Sequence, residues 1–288
     1  MEIIGEIVVK LIEKTIKLED KKKPLVVVPF GDVHIGANGC NKEYFENTIK
    51  WIKNKPNCYA IAMGDLVDCI IMNDKRFDIK GVDKDFLPHL DNLPMAQMDY
   101  LKKILEPIKD KILCAIPGNH EDKFRTEHGV DVMYELHRDI EITISDYMTF
   151  LRIKFDKSQF HTTPIIFWLQ HGFFSGRKMG GKLNNLTDVA NSYDADVYCV
   201  GHSHDLFAAT TEKLCLVSSG SSIIKEKKIF CNTGSFVETT ISGGTSYAEK
   251  KAYPVAKIGT VRLDIYPQRK ISVMNGARLY RPDIHIRI

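Results

Sequence analysis

Five times along this chain a short apolar run ends in residues able to hold a cation or move a proton. Asp32 and His34 follow the first run in "GDVHIG", Asp65 and Asp68 the second in "GDLVD", and Asn119 and His120 the third in "GNHE". His171 closes "PIIFWLQHG", and His202 and His204 close "VYCVGHSHD". Each pair alone is a weak signal. A Gly-Asp after a strand is commonly a turn, because glycine relieves the backbone and aspartate hydrogen-bonds to it. An isolated histidine such as His171 is more often a hydrogen-bonded structural residue than a ligand. The collected set reads differently. Carboxylate, amide and imidazole donors without cysteine suit two divalent cations of the Mn2+, Fe2+ or Zn2+ kind, Ni2+ included, over an all-oxygen Ca2+ site. Two neighbouring cations repel, so an anionic group must bridge them, and a carboxylate at a strand end can provide it. Such a pair acidifies bound water and clamps a phosphoryl group. The competing reading is a series of unrelated turns with hydrogen-bonded histidines.

The elements that would gather these groups follow from the apolar patterning. "PLVVVPF" (24–30), "CYAIAMGD" (58–65) and "KILCAIPGNHE" (111–121) read as buried strands. Residues 43–55 place Phe45, Ile49 and Ile52 at helical spacing, and 95–109 form a second expected helix. Residues 70–94, with Gly81, Pro88 and Pro94, show no clean period and form a long excursion after the second strand. Alternating strands and helices argue for an α/β core with ligands gathered beyond the carboxyl ends of its strands. From residue 147 onward the chain is mostly strand-like: 147–155, 164–172, 195–202, 213–220, 227–234 and 258–266, with one substantial helix expected at 183–193. This change predicts a second sheet packed on the first within one catalytic domain, 24–288. Residues 1–23 read as an added edge or packing element, where "TIKLED" suits a strand and "EIVVKLIEKTIKL" a helix.

Composition narrows the function classes. The chain has 288 residues, 44% hydrophobic and 27% charged, ordinary for a soluble globular protein. A net charge of +3 is too mild to argue for nucleic-acid binding by itself. Seven scattered cysteines with no C-x-x-C pair suggest neither a disulfide framework nor a zinc knuckle, and a reducing cytoplasm is the expected compartment. No stretch has the apolar length of a membrane span. Neither a Walker loop nor a dinucleotide fingerprint is present, so no organic cofactor is expected.

In family order, "DVH" (32–34), "GDLVD" (64–68), "GNHE" (118–121), "QHG" (170–172) and "GHSH" (201–204) resemble the motifs of the calcineurin-like metallophosphoesterase superfamily. The resemblance implies a β-sandwich of two mixed sheets flanked by helices. It also implies a first metal on Asp32, His34 and His204, a second on Asn119, His171 and His202, and Asp65 bridging the two. His120 would be the outer histidine near the leaving group. Asp68 would orient ligands or the turn. Glu121 would either orient His120 or serve the helix start or a salt bridge. "CNTGSF" (231–236) is similar to the segment that follows the ligand motifs in many members, which puts Asn232 and Ser235 near the cluster or in a turn.

Substrate is less specified. "NHEDKFRTEHG" (119–129) places Lys123, Arg125 and His128 beyond the outer histidine, and "HGFFSGRKMGGKLNN" (171–185) adds two aromatics with Arg177, Lys178 and Lys182. Cations and aromatics on loops beside a dimetal centre can hold a phosphate backbone and stack a base; surface charge is the bland account. These stretches are also similar to phosphoesterases encoded near phage and mobile-element genes. The resulting expectation is a phosphodiester hydrolase acting on DNA or on cyclic or small nucleotides. A phosphomonoesterase and a metal-bound nucleic-acid scaffold with little turnover are the alternatives.

Overall fold

Strand β2 (Leu25–Phe30) is buried along its whole length, which a single covered face cannot explain. Its even residues Val26, Val28 and Phe30 pack among Phe45, Ile49, Leu101 and Leu136, whereas Leu25 and Val27 pack against Phe167, Leu169 and Val197. An apolar run without alternation is what a strand needs when helices cover one face and another sheet covers the other. The computed structural model describes residues 9–172, 178–216, 223–240, 249, 254–272 and 278–288.

In chain order the strands are β1 (Lys10–Ile16), β2, β3 (Cys58–Ala62), β4 (Ile112–Ala115), β5 (Met148–Phe155), β6 (Ile165–Gln170), β7 (Val197–Val200), β8 (Leu206–Leu216), β9 (Ile223–Thr233), β10 (Arg262–Ser272) and β11 (Arg278–Arg287). The helices are α1 (Lys42–Asn54), α2 (Leu93–Leu105), α3 (Asn119–His128), α4 (Val132–Ile140) and α5 (Met179–Val189). One sheet has the order β11-β10-β2-β3-β4 and the other β1-β5-β6-β7-β9-β8. Both are mixed. β2, β3 and β4 run parallel, as do β6, β7 and β9, while β10 and β5 join antiparallel to their neighbours β2 and β6. The inner faces of the two sheets share a core of Leu25, Val27, Ile61, Phe167, Cys199, Leu263 and their neighbours. Helices α1, α2 and α4 cover the outer face of one sheet; α5 covers Trp168, Tyr198 and Phe230 on the other. The expected sandwich of two mixed sheets flanked by helices is therefore present.

The sheets are not the two halves of the chain. β10 and β11 cross back to cover the β2 edge, Leu263 pairing with Val27, and β1 joins the other sheet beside β5. An uncovered edge of β2 would expose ladder donors and acceptors next to the site-bearing strand. Residues 10–16 are a strand, so the helical alternative for this segment fails; residues 1–8 lie outside the described residues. α3 and α4 were not expected, nor was β11, and β8 begins at Leu206, before the expected 213. The 70–94 excursion holds two 3-10 turns, Ile79–Gly81 and Lys84–Asn92, before α2 starts. Among the described residues no helix is long and apolar enough to cross a membrane. All seven cysteines are free, and all but Cys215 are buried.

Asn57 ties the N-terminal segment to the start of β3. It is buried in the left-handed region (φ 53). Its Oδ1 accepts from Glu19 N (2.8 Å) and Asp20 N (3.2 Å), and its Nδ2 donates to Asp20 O (2.7 Å). Asn57→Ala should lower the unfolding free energy by about 2–4 kcal/mol, from donors left unpaired and from a strained backbone. Urea denaturation followed by tryptophan fluorescence measures it.

Candidate metal centre

Five strands end at one place, and each delivers its polar residues as the backbone leaves the sheet. β2 carries Asp32 and His34, β3 Asp65 and Asp68, β4 Asn119 and His120, β6 His171, and β7 His202 and His204. Asp32, His34, Asp65, His202 and His204 all adopt positive φ, between 49 and 67°. A non-glycine residue avoids this region without local compensation, so the turns are held in conformations they would not adopt alone. Close backbone crossing adds a second constraint. A Cβ on Gly118 would lie 2.1 Å from Asp65 Oδ1, and one on Gly64 would lie 2.4 Å from Gly118 N. The β3 and β4 turns can touch only because both residues are glycine.

The side chains form two clusters with a shared member. His204 Nε2 lies 3.3 Å from Asp32 Oδ1 and 3.2 Å from His34 Nε2. His171 Nε2 lies 3.2 Å from Asp65 Oδ2 and 3.2 Å from Asn119 Oδ1. Asp65 Oδ2 is also 3.7 Å from His34 Nε2, so its carboxylate stands between the groups. The triplets Asp32, His34, His204 and Asp65, His171, His202 each offer donor atoms close enough to share one ion, and His34, Asp65 and His120 form a third such group. Asp32 Oδ1 is buried without a hydrogen-bond partner. An orphaned carboxylate oxygen facing imidazole nitrogens is the donor set a cation needs.

Burial opposes charge here, and neighbours decide the outcome. Desolvation works against the Asp32 carboxylate, but His204 and His171 hold its pKa below the usual value. Asp65 is desolvated too, and His171 and His120 hold it well below. His171 loses hydration yet faces Asp65 and is pushed up to about 10; His204 is raised in the same way by Asp32. Burial pushes His34 and His202 down, reinforced by His120 and His171 respectively.

Supporting residues fix these positions. Glu121, 1% exposed, turns both carboxylate oxygens to backbone N–H groups. Its Oε1 accepts from Leu66 N (2.6 Å) and Val67 N (3.3 Å), and its Oε2 from Asp65 N (3.0 Å) and Gly118 N (2.9 Å). The bond to Gly118 makes it the first-turn residue that closes the start of α3, the helix-start alternative of the sequence reading. It also clamps the β3 turn. Asp68 Oδ1 lies 3.4 Å from His34 Nδ1 and 3.6 Å from His120 Nδ1, a placement suited to orienting both rings. Asn232 Nδ2 donates to Ser203 Oγ (2.8 Å), and Ser235 Oγ donates to Asp32 O (2.8 Å), so the 231–236 stretch braces the loops that carry Asp32 and the 202–204 histidines. Lys182, buried on α5, pairs with Asp205 next to His204.

The cationic residues divide. Arg125 is on the exposed side of α3, paired with Asp122 at 2.7 Å, and is not brought to the cluster. Lys178 is exposed at the start of α5, and Arg177 lies outside the described residues. Arg76, not singled out from the sequence, does reach the cluster: its Nη1 lies 3.2 Å from His120 Nε2. A guanidinium only donates, so Nε2 accepts, and Nδ1 donates to Asp68 O at 2.5 Å. The one sequence signal for Arg76 was its place in a long excursion directly after a site-bearing strand.

Glu121→Gln would turn one acceptor into a donor aimed at backbone N–H groups. It should cost about 2–4 kcal/mol of stability, as expected when a buried hydrogen-bonded charge loses its match. Divalent-ion uptake should fall with it, measured by calorimetric titration beside chemical denaturation.

Over 109 residues the chain is 30% identical to the DNA polymerase II small subunit of Thermoplasma acidophilum, an alignment covering 36% of this chain and 20% of that protein. The chain thus spans a fifth of the length of this relative. Among solved structures, zinc-complexed Vps29 from Entamoeba histolytica is 11% identical with a TM-score of 0.36, covering 90% of this chain and 98% of that one. A metallophosphoesterase from Sphaerobacter thermophilus is 11% identical with a TM-score of 0.36, covering 74% and 77%. Residues 25–206, from the first strand of the site to just past the last histidine, match the calcineurin-like phosphoesterase family, and the chain belongs to it.

Proposed function

We propose that this protein hydrolyses phosphodiesters, of DNA or of cyclic or small nucleotides, with two divalent cations. The observation that carries the reading is the Asp65 carboxylate standing between the Asp32–His34–His204 and His171–His202 groups, with His120 at the rim. The family is dimetal-dependent, and the orphaned Asp32 Oδ1 among imidazoles fits a cation. Asp32, His34 and His204 would hold one ion, Asn119, His171 and His202 the other, and Asp65 both. Mn2+ suits this mixture of oxygen and nitrogen donors, as do Fe2+, Zn2+ and Ni2+. When bound, the ions supply an acidified water and charge stabilisation on the phosphoryl oxygens.

The chain's own residues do the rest. His171 Nδ1 is engaged by Met63 O at 2.7 Å, which directs Nε2 at the cluster. Asp68 performs the same service for His34 and His120. With its Nδ1–H on the Asp68 carbonyl, His120 presents Nε2 to the leaving oxygen; Nε2, an acceptor while Arg76 donates to it, would first take a proton from solvent and then deliver it there. Nucleic acid or nucleotide as the substrate class is supported by the kinship with a DNA polymerase small subunit.

Bis-p-nitrophenyl phosphate and p-nitrophenyl phosphate, each with and without Mn2+, test the reading. Mn2+-dependent turnover of the diester is expected; turnover of the monoester alone would replace it with a phosphatase. Asp65→Asn should abolish hydrolysis and weaken Mn2+ uptake. His120→Asn should keep Mn2+ and lower kcat by about 10²–10⁴-fold, the range for a lost general acid. Unchanged rates in both variants would overturn the mechanism.

A further inference from the structure

The 70–94 excursion leaves its strand beside the candidate centre, and its first loop turns back toward the outer histidine. Asp74 and Arg76 occupy that loop. Asp74 is nearly buried, with a side chain 6% exposed. It accepts from Arg76 Nε (3.2 Å to Oδ1) and Nη2 (2.8 Å to Oδ2), and from Lys123 Nζ on α3 (2.7 Å). The fork of the guanidinium is therefore fixed on one side, and the loop is tied to the helix that begins with Asn119 and His120. Lys123 is further neutralised by Glu127 at 3.6 Å. The free edge of the fork is Nη1, and its partner is the neutral acceptor His120 Nε2.

That contact is a weak use of a strong donor. A guanidinium forms its best hydrogen bonds with carboxylate or phosphate oxygens, two at a time, and an imidazole nitrogen offers one uncharged lone pair. Arg76 is 35% exposed and reaches the cluster from the solvent side, so an incoming anion meets it without disrupting the core. It also occupies the approach to His120 Nε2 that a leaving oxygen would need.

We infer that Arg76, oriented by Asp74, binds the phosphoryl group on the His120 side of the centre and exchanges its contact with His120 for phosphate oxygens when substrate enters. Arg76 is then a substrate-binding residue and Asp74 a positioning residue. The exchange frees His120 Nε2 for the leaving oxygen at the moment the anion arrives. This rests on the phosphoesterase reading of the site and adds to it a cation outside the motifs that carry the family resemblance.

The test uses the full chain with Mn2+ and inorganic phosphate as the probe, so that it does not depend on turnover. Calorimetric titration should show phosphate affinity falling at least about tenfold in Arg76→Ala, the scale of one lost charge-assisted hydrogen bond, while Mn2+ uptake stays at the parent level. Arg76→Lys should recover only part of the affinity, because an ammonium lacks the fork. Asp74→Asn should weaken phosphate binding less than Arg76→Ala. Should the parent hydrolyse neither ester, the proposed activity fails, yet Arg76-dependent phosphate binding would still support this inference. If the diester is turned over, Arg76→Ala should lower kcat/KM by about 10²-fold, the scale of a lost transition-state donor. Millimolar guanidinium should restore part of it. Unchanged phosphate affinity in Arg76→Ala would overturn the inference, as would a fall accompanied by loss of Mn2+ uptake.

Discussion

Asp32, Asp65 and Glu121 bring three carboxylates into one buried region, each 1% exposed or less. Burying an ionised carboxylate is costly unless it is paired and hydrogen-bonded, and the surroundings answer that cost differently in each case. Glu121 is satisfied by backbone N–H groups alone. Asp65 takes His120 N at 2.8 Å on one oxygen and faces His171 with the other. Asp32 takes His202 N at 2.8 Å on Oδ2 and keeps Oδ1 without a hydrogen bond. The gradient runs from full satisfaction at the scaffold to an open valence at the centre. A metal cluster needs that distribution: rigid support behind, unspent donors in front.

The same carboxylates explain why the strand ends are strained. Glu121 collects N–H groups from residues 65–67 and 118, so the backbone must turn its donors inward there. Asp65 adopts left-handed backbone in that turn, and Asp32 and His34 do so in the adjoining one, where Val33 N and His34 N donate to Asp65 O at 2.8 and 3.0 Å. Such residues each cost on the order of 1–3 kcal/mol and persist only where the surroundings over-determine them. Here the over-determination comes from the apolar layers. The strands feeding the turns are sandwiched between helices and a second sheet, so their ends cannot relax outward.

Much of the cluster was legible because its residues stand directly after apolar runs, and a short run bounded by Gly-Asp or Gly-Asn marks where the chain leaves a strand. Asp32, Asp65, Asn119, His171 and His202 were readable for that reason. Glu121 was legible as a polar residue with a helix start among its alternatives, but its clamp on the β3 turn was not, since a side chain that binds backbone leaves no partner residue type to look for. Arg76 was illegible for a different reason: the excursion has no periodicity, and only its fold back onto α3 through Asp74 brings it to His120. In the fold, the two mixed sheets were readable from the density of apolar runs. The membership of each sheet was not. β1 and β10 interleave apolar and polar residues in patterns that suit either sheet, and pairing across most of the chain length decides between them.

That pairing separates the motifs from the unit that makes them work. The five motifs that carry the resemblance lie between 32 and 204, yet the Asp32 loop is braced from beyond them, by the 231–236 stretch. Ser235 Oγ holds Asp32 O, Phe236 N donates to the same carbonyl at 3.1 Å, and Asn232 holds the Ser203 hydroxyl between the two histidines of β7. Phe236 itself packs on Phe45 of α1, with ring centroids 5.1 Å apart. β10 then seals β2 along Leu25–Val27. Residues 232–236 and 263–265 therefore meet β2 and the loop that follows it directly. Contacts of such long sequence separation carry a loop-closure cost and slow folding. Completion of the sandwich is therefore part of what holds the left-handed Asp32 turn in place.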